Sequence, residues 1–144
     1  MPGPSSFTPR PPASSIPKKR FTLALANKTL PLVKRVVGDI VTTHERALEI
    51  QAQIESMKQG KAQSELQGQL DSTLDRLQGF VDELTEIGCD LKDYQTGLID
   101  FVGRHQGRDV FLCWKLGEER IAYWHEINGG FAGRKPVATL DERG

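Results

Sequence analysis

The residues best suited to chemistry lie near the C-terminal end of the chain. The segment LCWKLGEERIAYWHE, residues 112–126, holds both tryptophans, one of the two cysteines and one of the three histidines. Asp100 and Glu126 could act as an acid and base pair. His125 could transfer a proton, and Arg134 could clamp a carboxylate or a phosphate. These residue types predict a polar site for a small anionic molecule, but they do not identify a reaction.

The spacing of metal-binding residue types does not predict a metal site. Cys89 and Cys113 form no C-x-x-C pair. His125 and Glu126 are neighbours, and neighbours on a regular strand point to opposite faces. His44 has no second histidine or cysteine at helical spacing. The C-terminal NGGFAGRKP lacks the spacing of a phosphate-binding loop. No metal is therefore predicted, and the sequence leaves any cofactor undetermined.

Alternating apolar and polar residues predict three β-strands around these side chains. The strands correspond to LIDFV, DVFLCWK and RIAYWHE, all within residues 97–126. Two glycine-containing segments, RHQGR and LGEE, separate them and suit tight turns at residues 106–107 and 117–118. The expected arrangement is an antiparallel β-meander.

These two turns divide the strand residues between the faces of the sheet. Asp100 then lies opposite Cys113, and Phe111 lies opposite Trp124. The face predicted to pack on helices holds Ile99, Phe101, Val110, Leu112, Trp114, Ile121, Tyr123 and His125. The other face holds Asp100, Val102, Phe111, Cys113, Ala122, Trp124 and Glu126. Phe111 and Trp124 are thus expected to form an aromatic surface beside carboxylates, which is suited to a ligand or a partner.

A long helix is predicted ahead of the strands. Thr22 can cap its start, and Phe21 and Ala26 stand at the positions of a hydrophobic staple. Pro31 suits the first turn of a second, longer helix, so a kink is expected near Leu30. Beyond it, apolar residues recur at steps of three and four as far as Met57, which marks one buried stripe.

A second helix is predicted after the polar loop QGKAQ. Ser64 and Gln67 have the spacing of a capping box, and Gly88 provides a C-terminal stop. Two striped helices joined by a short loop form an antiparallel hairpin over residues 22–87. The fold class is therefore α+β: a long helical hairpin with a kinked first helix, a small three-stranded β-meander and a glycine-rich C-terminal loop.

Composition sets the domain boundaries and excludes some functions. A chain of 144 residues and 16.0 kDa suits one domain, placed here at residues 21–137 with its C-terminal loop at 127–137. The Pro- and Ser-rich residues 1–20 are expected to be a disordered tail, and residues 138–144 a flexible end. No signal peptide or long apolar run is present, so a cytoplasmic protein with reduced thiols and no membrane contact is expected.

Nucleic-acid binding is considered and given little weight. Nineteen basic residues balance nineteen acidic ones, so the chain as a whole does not attract a polyanion. Such a function would need a local patch together with an exposed Trp124. The residues available for the patch are Arg104, His105, Arg108, Arg134 and Lys135.

The length of the hairpin predicts a homo-oligomer. Helices of about 28 and 23 residues extend about 42 and 35 Å, whereas seven-residue strands reach only about 23 Å. The hairpin should therefore overhang the sheet. Apolar residues still line the overhang: Ile50, Ile54, Met57, Leu66 and Leu70. A second copy forming a four-helix bundle would cover them.

Four segments in this order resemble the bacterial domain-of-unknown-function family 2203: FTLALANKTLPLV, KDYQTGLIDF, LCWKLGEERIAYWHE and GFAGR. The resemblance covers about residues 20–137. It implies a bacterial, cytosolic setting and no known reaction or cofactor. The positions that its motifs mark are Lys92, Asp93, Gly97, Leu98, Asp100, Phe101, Trp114, Glu118, Trp124, His125, Phe131, Gly133 and Arg134. Among these, Asp93, Asp100, His125 and Arg134 are hard to explain by core packing, which adds Asp93 to the candidate polar site.

The sequence therefore favours an oligomeric interaction or ligand-binding module. In this interpretation the hairpin assembles, while the meander and the C-terminal loop recognise a partner or a small anionic ligand. The alternative is a small enzyme in which Asp100, Glu126 and His125 surround an anionic substrate held by Arg134. A weak nucleic-acid binder is the second alternative.

Overall fold

Two long helices precede a sheet in the computed structural model, which describes residues 19–143. Helix α1 spans Leu23–Glu55 and helix α2 spans Lys61–Ile87. The strands that follow are β1 (Cys89–Asp93), β2 (Leu98–His105), β3 (Arg108–Lys115), β4 (Tyr123–Glu126) and β5 (Lys135–Pro136). Two short 3₁₀ helices, Phe131–Gly133 and Val137–Thr139, flank β5. The expected disordered tail falls almost wholly on residues 1–18, outside the described part of the chain.

The sheet has five antiparallel strands in sequence order, β1-β2-β3-β4-β5. The α+β class and the antiparallel meander are confirmed, but the prediction of three strands is wrong. Strand β1 follows Gly88 immediately, and its sequence CDLKD is too short and polar to stand out by alternation. Strand β5 has only two residues, one of them Pro136, so no periodic pattern can reveal it.

Helix α1 begins directly after Thr22, the residue predicted to cap it. The Thr22 side chain accepts a hydrogen bond from the Leu25 N–H at 3.1 Å. The Glu142 carboxylate accepts another from the Leu23 N–H at 2.7 Å, so an acidic group from the far end of the chain also caps this helix. The expected division at Leu30 is wrong, because α1 continues for 33 residues with Pro31 inside it. Packing of Leu30 and Val33 in the core offsets the helical hydrogen bond that proline removes.

Helix α2 starts one turn earlier than its sequence signal suggested. Its N-cap is Gly60, and the Ser64 N–H donates to the Gly60 carbonyl inside the first turn. The predicted capping box at Ser64 and Gln67 is therefore wrong. The C-terminal stop is confirmed, since Gly88 adopts the left-handed conformation with φ of 114°.

The helices cover one face of the sheet and form the main core with it. Six of the residues assigned to this inner face are confirmed there: Ile99, Phe101, Val110, Leu112, Trp114 and Ile121. The staple residues Phe21 and Ala26 join the same cluster. No helix within residues 19–143 combines the length and the apolar character needed to cross a membrane.

A second, smaller apolar cluster lies in the outer part of the hairpin. Ala47, Ile50 and Ile54 of α1 pack against Leu70 of α2, and Leu66 is partly buried beside them. Ile50 is 1% exposed and Leu70 is 3% exposed within the single chain. Met57 remains exposed. Because the hairpin itself covers most of this stripe, the stripe no longer requires a second copy, and the homodimer stays a prediction.

Both ends of the predicted domain extend further than expected. Arg20 forms a two-point ion pair with Asp109, at 2.9 and 2.8 Å, so the last residue assigned to the tail belongs to the fold. At the other end, the Asp141 N–H donates to Nδ1 of His105 at 2.9 Å, and the Gln106 N–H donates to the Asp141 carbonyl. The segment expected to be a flexible end is thus attached to the β2–β3 turn.

The pairing of β3 with β4 differs by one residue from the predicted register. Cys113 lies opposite Tyr123, and Phe111 lies opposite His125 rather than Trp124. A one-residue slip exchanges the two faces of a strand. Consequently Trp124 belongs to the inner core, whereas Tyr123 and His125 belong to the outer face of the sheet.

Candidate functional site

Three buried polar side chains meet on the outer face of the sheet. Asp100, Cys113 and His125 are 2%, 1% and 4% exposed, respectively. One carboxylate oxygen, the thiol sulfur and one ring nitrogen all lie within 4.8 Å of one another. A nitrogen, an oxygen and a sulfur donor therefore converge on one point. These three residues are called the outer-face cluster below.

Three consecutive strands bring the cluster together. Strands β2 and β3 set Asp100 directly opposite Cys113, as the turn at residues 106–107 predicted. Strand β4 then places His125 diagonally from Cys113, since His125 pairs with Phe111, two residues earlier on β3. The cluster forms only with the observed β3–β4 register, because the predicted register turns His125 to the inner face.

Both ring nitrogens of His125 face acceptors. Nδ1 lies 2.8 Å from the Glu126 carbonyl, which can only accept, so Nδ1 carries a proton. Nε2 lies 3.2 Å from Oδ1 of Asp100. Burial acts to lower the pKa of His125, but hydrogen bonds to Asp100, Cys113 and the Glu126 carbonyl outweigh burial and raise the pKa well above its usual value. The raised pKa favours the protonated form of His125 beside Asp100.

Arg134 stands on the other side of Cys113. Its Nη2 donates to both carboxylate oxygens of Glu118, at 2.8 and 2.9 Å, and its guanidinium lies 4.2 Å from the Tyr123 ring centre. Burial lowers the pKa of Arg134, whereas Glu118 and Cys113 raise it, with a net increase. The Cys113 thiol is thus flanked by two cationic groups, Arg134 and His125.

A small pocket of about 260 Å³ opens above the cluster. Its walls combine the three cluster residues with apolar and aromatic side chains and one lysine. The lining residues are Lys92, Leu98, Asp100, Phe111, Cys113, His125, Ile127, Gly130 and Phe131. Lys92 is held by Asp90 at 2.7 Å, and its ammonium lies 5.3 Å from the centre of the Phe111 ring. This outer-face pocket joins a polar floor to an aromatic wall.

Two of the predicted site residues lie away from the cluster. Asp93 accepts hydrogen bonds from Thr96 and Gln95 and thereby closes the β1–β2 turn. These bonds, with the Thr96 hydroxyl first, lower the pKa of Asp93. Glu126 points to the face opposite His125 and pairs with Arg108 at 2.6 Å. An acid and base pair made of Asp100 and Glu126 is therefore wrong, since the sheet separates them.

The two residues of the predicted aromatic surface lie on opposite faces of the sheet, and both are buried. Phe111 lines the pocket and its ring lies 5.4 Å from the His125 ring. Trp124 is 2% exposed in the core, where its Nε1 donates to the Thr139 hydroxyl at 3.0 Å. Nucleic-acid binding was expected to use an exposed Trp124, and the buried position of this residue removes that support.

Sequence reasoning placed Cys113 beside Asp100 but did not include it in the site. The Asp100–Cys113 register is the signal that could identify Cys113, because spacing along the chain reveals metal or nucleophile motifs only within one element. Phe131 and Lys92, both in segments singled out by sequence, also line the pocket.

Comparisons with known proteins give one finding. A family model described as "Uncharacterized conserved protein (DUF2203)" matches residues 19–137. Neither the curated proteins nor the solved structures contain a significant match to the chain.

Proposed function

Because the chain belongs to the DUF2203 family, whose description carries no activity, its function must be argued from the site, and we propose a ligand-binding module. The ligand is a small anionic molecule with an apolar or aromatic part. It occupies the outer-face pocket, with its anionic group toward Lys92 and its apolar part against Phe111 and Phe131.

The observation that carries this proposal is the composition of the pocket. Ligand sites are usually apolar concavities with a few convergent polar groups, and they commonly measure about 300–1,000 Å³. A volume of about 260 Å³ suits a ligand at or below the small end of that range. Leu98, Ile127 and Phe131 supply apolar surface, while the outer-face cluster supplies the convergent polar groups.

The charges that line the pocket favour an anion. Lys92 brings its ammonium to the pocket, where Asp90 holds it at 2.7 Å, and His125 has a raised pKa beside Asp100. The Lys92 ammonium is the group that an incoming anion can reach, since its side chain is 38% exposed. A carboxylate or similar group near Lys92 would gain a charge-assisted hydrogen bond.

The enzyme alternative has less support. It used Asp100, Glu126 and His125 around one substrate, and Glu126 lies on the opposite face with Arg108. The pair that remains, Asp100 and His125, can bind and orient a ligand without a second acid or base.

Titration of the ¹⁵N-labelled protein with benzoate tests the proposal. Benzoate joins an aromatic ring to a carboxylate, and benzamide has a similar shape without the charge. We expect benzoate to shift the amide resonances of Phe111, His125 and Phe131, and benzamide to bind more weakly. Equal binding of both probes would contradict the anionic preference, and no localised shifts with either would contradict the pocket.

A matched pair of lysine variants locates the charge effect. Lys92→Met keeps the apolar stem and removes the ammonium. We expect it to weaken benzoate binding about two- to fivefold, within the range of a partly exposed charge interaction. Lys61→Met, at the exposed start of α2, removes the same charge far from the sheet and should leave the benzoate affinity unchanged.

A further inference from the structure

We propose that Asp100, Cys113 and His125 form a binding site for a transition-metal ion of the zinc type. The ion would sit at the floor of the outer-face pocket, with one coordination position open to it. This inference uses the pocket of the proposed function as the approach to the metal, but the ligand set stands without any organic ligand.

The geometry of the three donors suits one tetrahedral ion. Zinc binds sulfur at about 2.3 Å and nitrogen or oxygen at about 2.0–2.2 Å, so tetrahedral ligands lie about 3.3–3.8 Å apart. The Asp100–His125 pair already measures 3.2 Å, and no pair in the cluster exceeds 4.8 Å. Adjustments of about an ångström in side-chain position would complete the site.

His125 is oriented as a metal ligand would be. A ligating histidine almost always donates its second ring N–H to a carbonyl or carboxylate. Nδ1 of His125 makes this bond to the Glu126 carbonyl at 2.8 Å, which leaves Nε2 directed at Asp100. The Nε2 lone pair and an ionised carboxylate repel each other unless a cation lies between them. A metal ion bound by both groups would supply that cation.

The chemistry and charge of the donors select the class of ion. A thiolate with an imidazole favours zinc, cobalt, copper or iron over magnesium and calcium, which prefer oxygen. A divalent ion would be neutralised by the Cys113 thiolate and the Asp100 carboxylate. Arg134, which contacts Cys113, is itself balanced by Glu118, so it can orient the thiolate without adding net charge.

Three protein donors leave the fourth position of a zinc ion for water or a ligand, as in catalytic zinc sites. Sequence spacing gives no hint of this set, because each donor comes from a different strand. The site is therefore a product of register rather than of a local motif.

Cobalt(II) substitution provides the direct test. We expect one equivalent of Co²⁺ to produce the near-ultraviolet charge-transfer band of a cobalt–thiolate bond in the 144-residue protein, and one equivalent of Zn²⁺ to remove it. The chain has two cysteines, Cys89 and Cys113, and Cys89 is buried in the core. Cys113→Ala should abolish the band, whereas Cys89→Ala should keep it. Absence of the band in the unsubstituted protein would overturn the proposal, whatever the variants do.

A charge variant tests the carboxylate separately. Asp100→Asn preserves the shape of the side chain and removes its charge. Since the loss of an outer-sphere partner commonly costs about 10–100-fold in metal affinity, loss of this ligand should weaken Zn²⁺ binding, measured by chelator competition, at least about tenfold. An unchanged affinity in a variant with a native-like amide spectrum would exclude Asp100 and overturn the three-donor site.

Benzoate binding to the Co²⁺ protein tests the metal site and the ligand pocket independently. If the metal site and the pocket are both correct, benzoate should change the visible spectrum of the Co²⁺ protein. A charge-transfer band without any benzoate binding would support the metal site and overturn the ligand pocket. Benzoate binding to a protein that gives no band would overturn the metal site alone.

Discussion

Asp93 illustrates how a residue that looks functional in the sequence can be structural. Its carboxylate accepts hydrogen bonds from the Thr96 hydroxyl and from the backbone of Thr96 and Gln95. Such a carboxylate in a turn replaces backbone hydrogen bonds that the chain reversal leaves unmade. Asp93 therefore stabilises the β1–β2 turn, and the free energy of unfolding can measure this contribution.

The contribution of Asp93 to stability should depend on pH. Its pKa is lowered in the folded protein, first by the Thr96 hydroxyl. A lowered pKa means that the stabilisation is fully present above the unfolded value of about 3.9 and is lost as the pH falls through the folded pKa. We expect Asp93→Ala to lower the free energy of unfolding by about 1 kcal/mol at neutral pH and by less near pH 3. Urea unfolding at both pH values measures the difference.

The control for this prediction is Asp39→Ala, which removes a carboxylate from an exposed position on α1. It should not show the same loss of effect on acidification. An Asp93→Ala difference that stays constant, or that grows toward low pH, would mean that the ionised carboxylate does not stabilise the turn.

At the level of elements, the sequence pattern predicts where β2 and β3 lie, but it does not predict how β3 pairs with β4. The alternation in LIDFV and DVFLCWK places Phe101 and Leu112 correctly in the core, because burial on one face leaves a strong period of two. The helix boundaries at Thr22 and Gly88 were also predictable, since capping chemistry is local. What could not be predicted is how residues 116–122 leave the sheet between β3 and β4.

One local and one long-range hydrogen bond hold residues 116–122 in this path. The Trp114 indole donates to the Glu118 carbonyl at 3.0 Å, and the Ile121 N–H donates to Oδ1 of Asn27 on α1 at 2.8 Å. The second bond ties residue 121 to the helix, and the connection between β3 and β4 is one residue longer than the predicted turn. The predicted register pairs Phe111 with Trp124, whereas the structure pairs Phe111 with His125. The outer face therefore holds the histidine, and the tryptophan lies in the core. The Ile121–Asn27 hydrogen bond belongs to this longer connection, and the period of two within the strands does not reveal it.

The turn that joins β1 to β2 makes a close contact with helix α1. Gly97 has φ of +71°, and a Cβ atom there would lie 2.8 Å from Cγ1 of Val37 and 2.9 Å from Cβ of Leu116. Gly117 also has positive φ, +105°, but no atom lies within 4 Å of its Cβ position. Alanine substitutions at these two glycines therefore distinguish the cost of left-handed backbone from the cost of steric overlap.

We expect Gly97→Ala to destabilise the protein much more than Gly117→Ala. Left-handed backbone costs an alanine about 1–2 kcal/mol at either position. Overpacking against Val37 and Leu116 adds about 1–3 kcal/mol at Gly97. Urea unfolding at neutral pH measures both variants. Equal losses would show that α1 can move away from the turn at no cost.

On the scale of the whole molecule, residues 19–143 contain two apolar clusters of unequal size. The main core joins both helices to the sheet, whereas the outer cluster consists of Ala47, Ile50, Ile54 and Leu70. Only the two helices form the outer cluster, and few buried contacts hold that end of the hairpin. Regions with few buried apolar contacts open locally at lower free energy than the core. The end of the hairpin should therefore open without unfolding the sheet.

Hydrogen exchange in two leucine variants tests this independence. Leucine-to-alanine substitutions in buried positions cost about 2–5 kcal/mol. Leu77 belongs to the main core and Leu70 to the outer cluster, with 0% and 3% exposure. Leu77→Ala should speed exchange throughout, including at the amides of β2 and β3. Leu70→Ala should speed exchange mainly at residues 47–70, because local opening there does not break the main core. If Leu70→Ala accelerates the amides of β2 as much as those of the hairpin end, the two clusters unfold together and the separation fails.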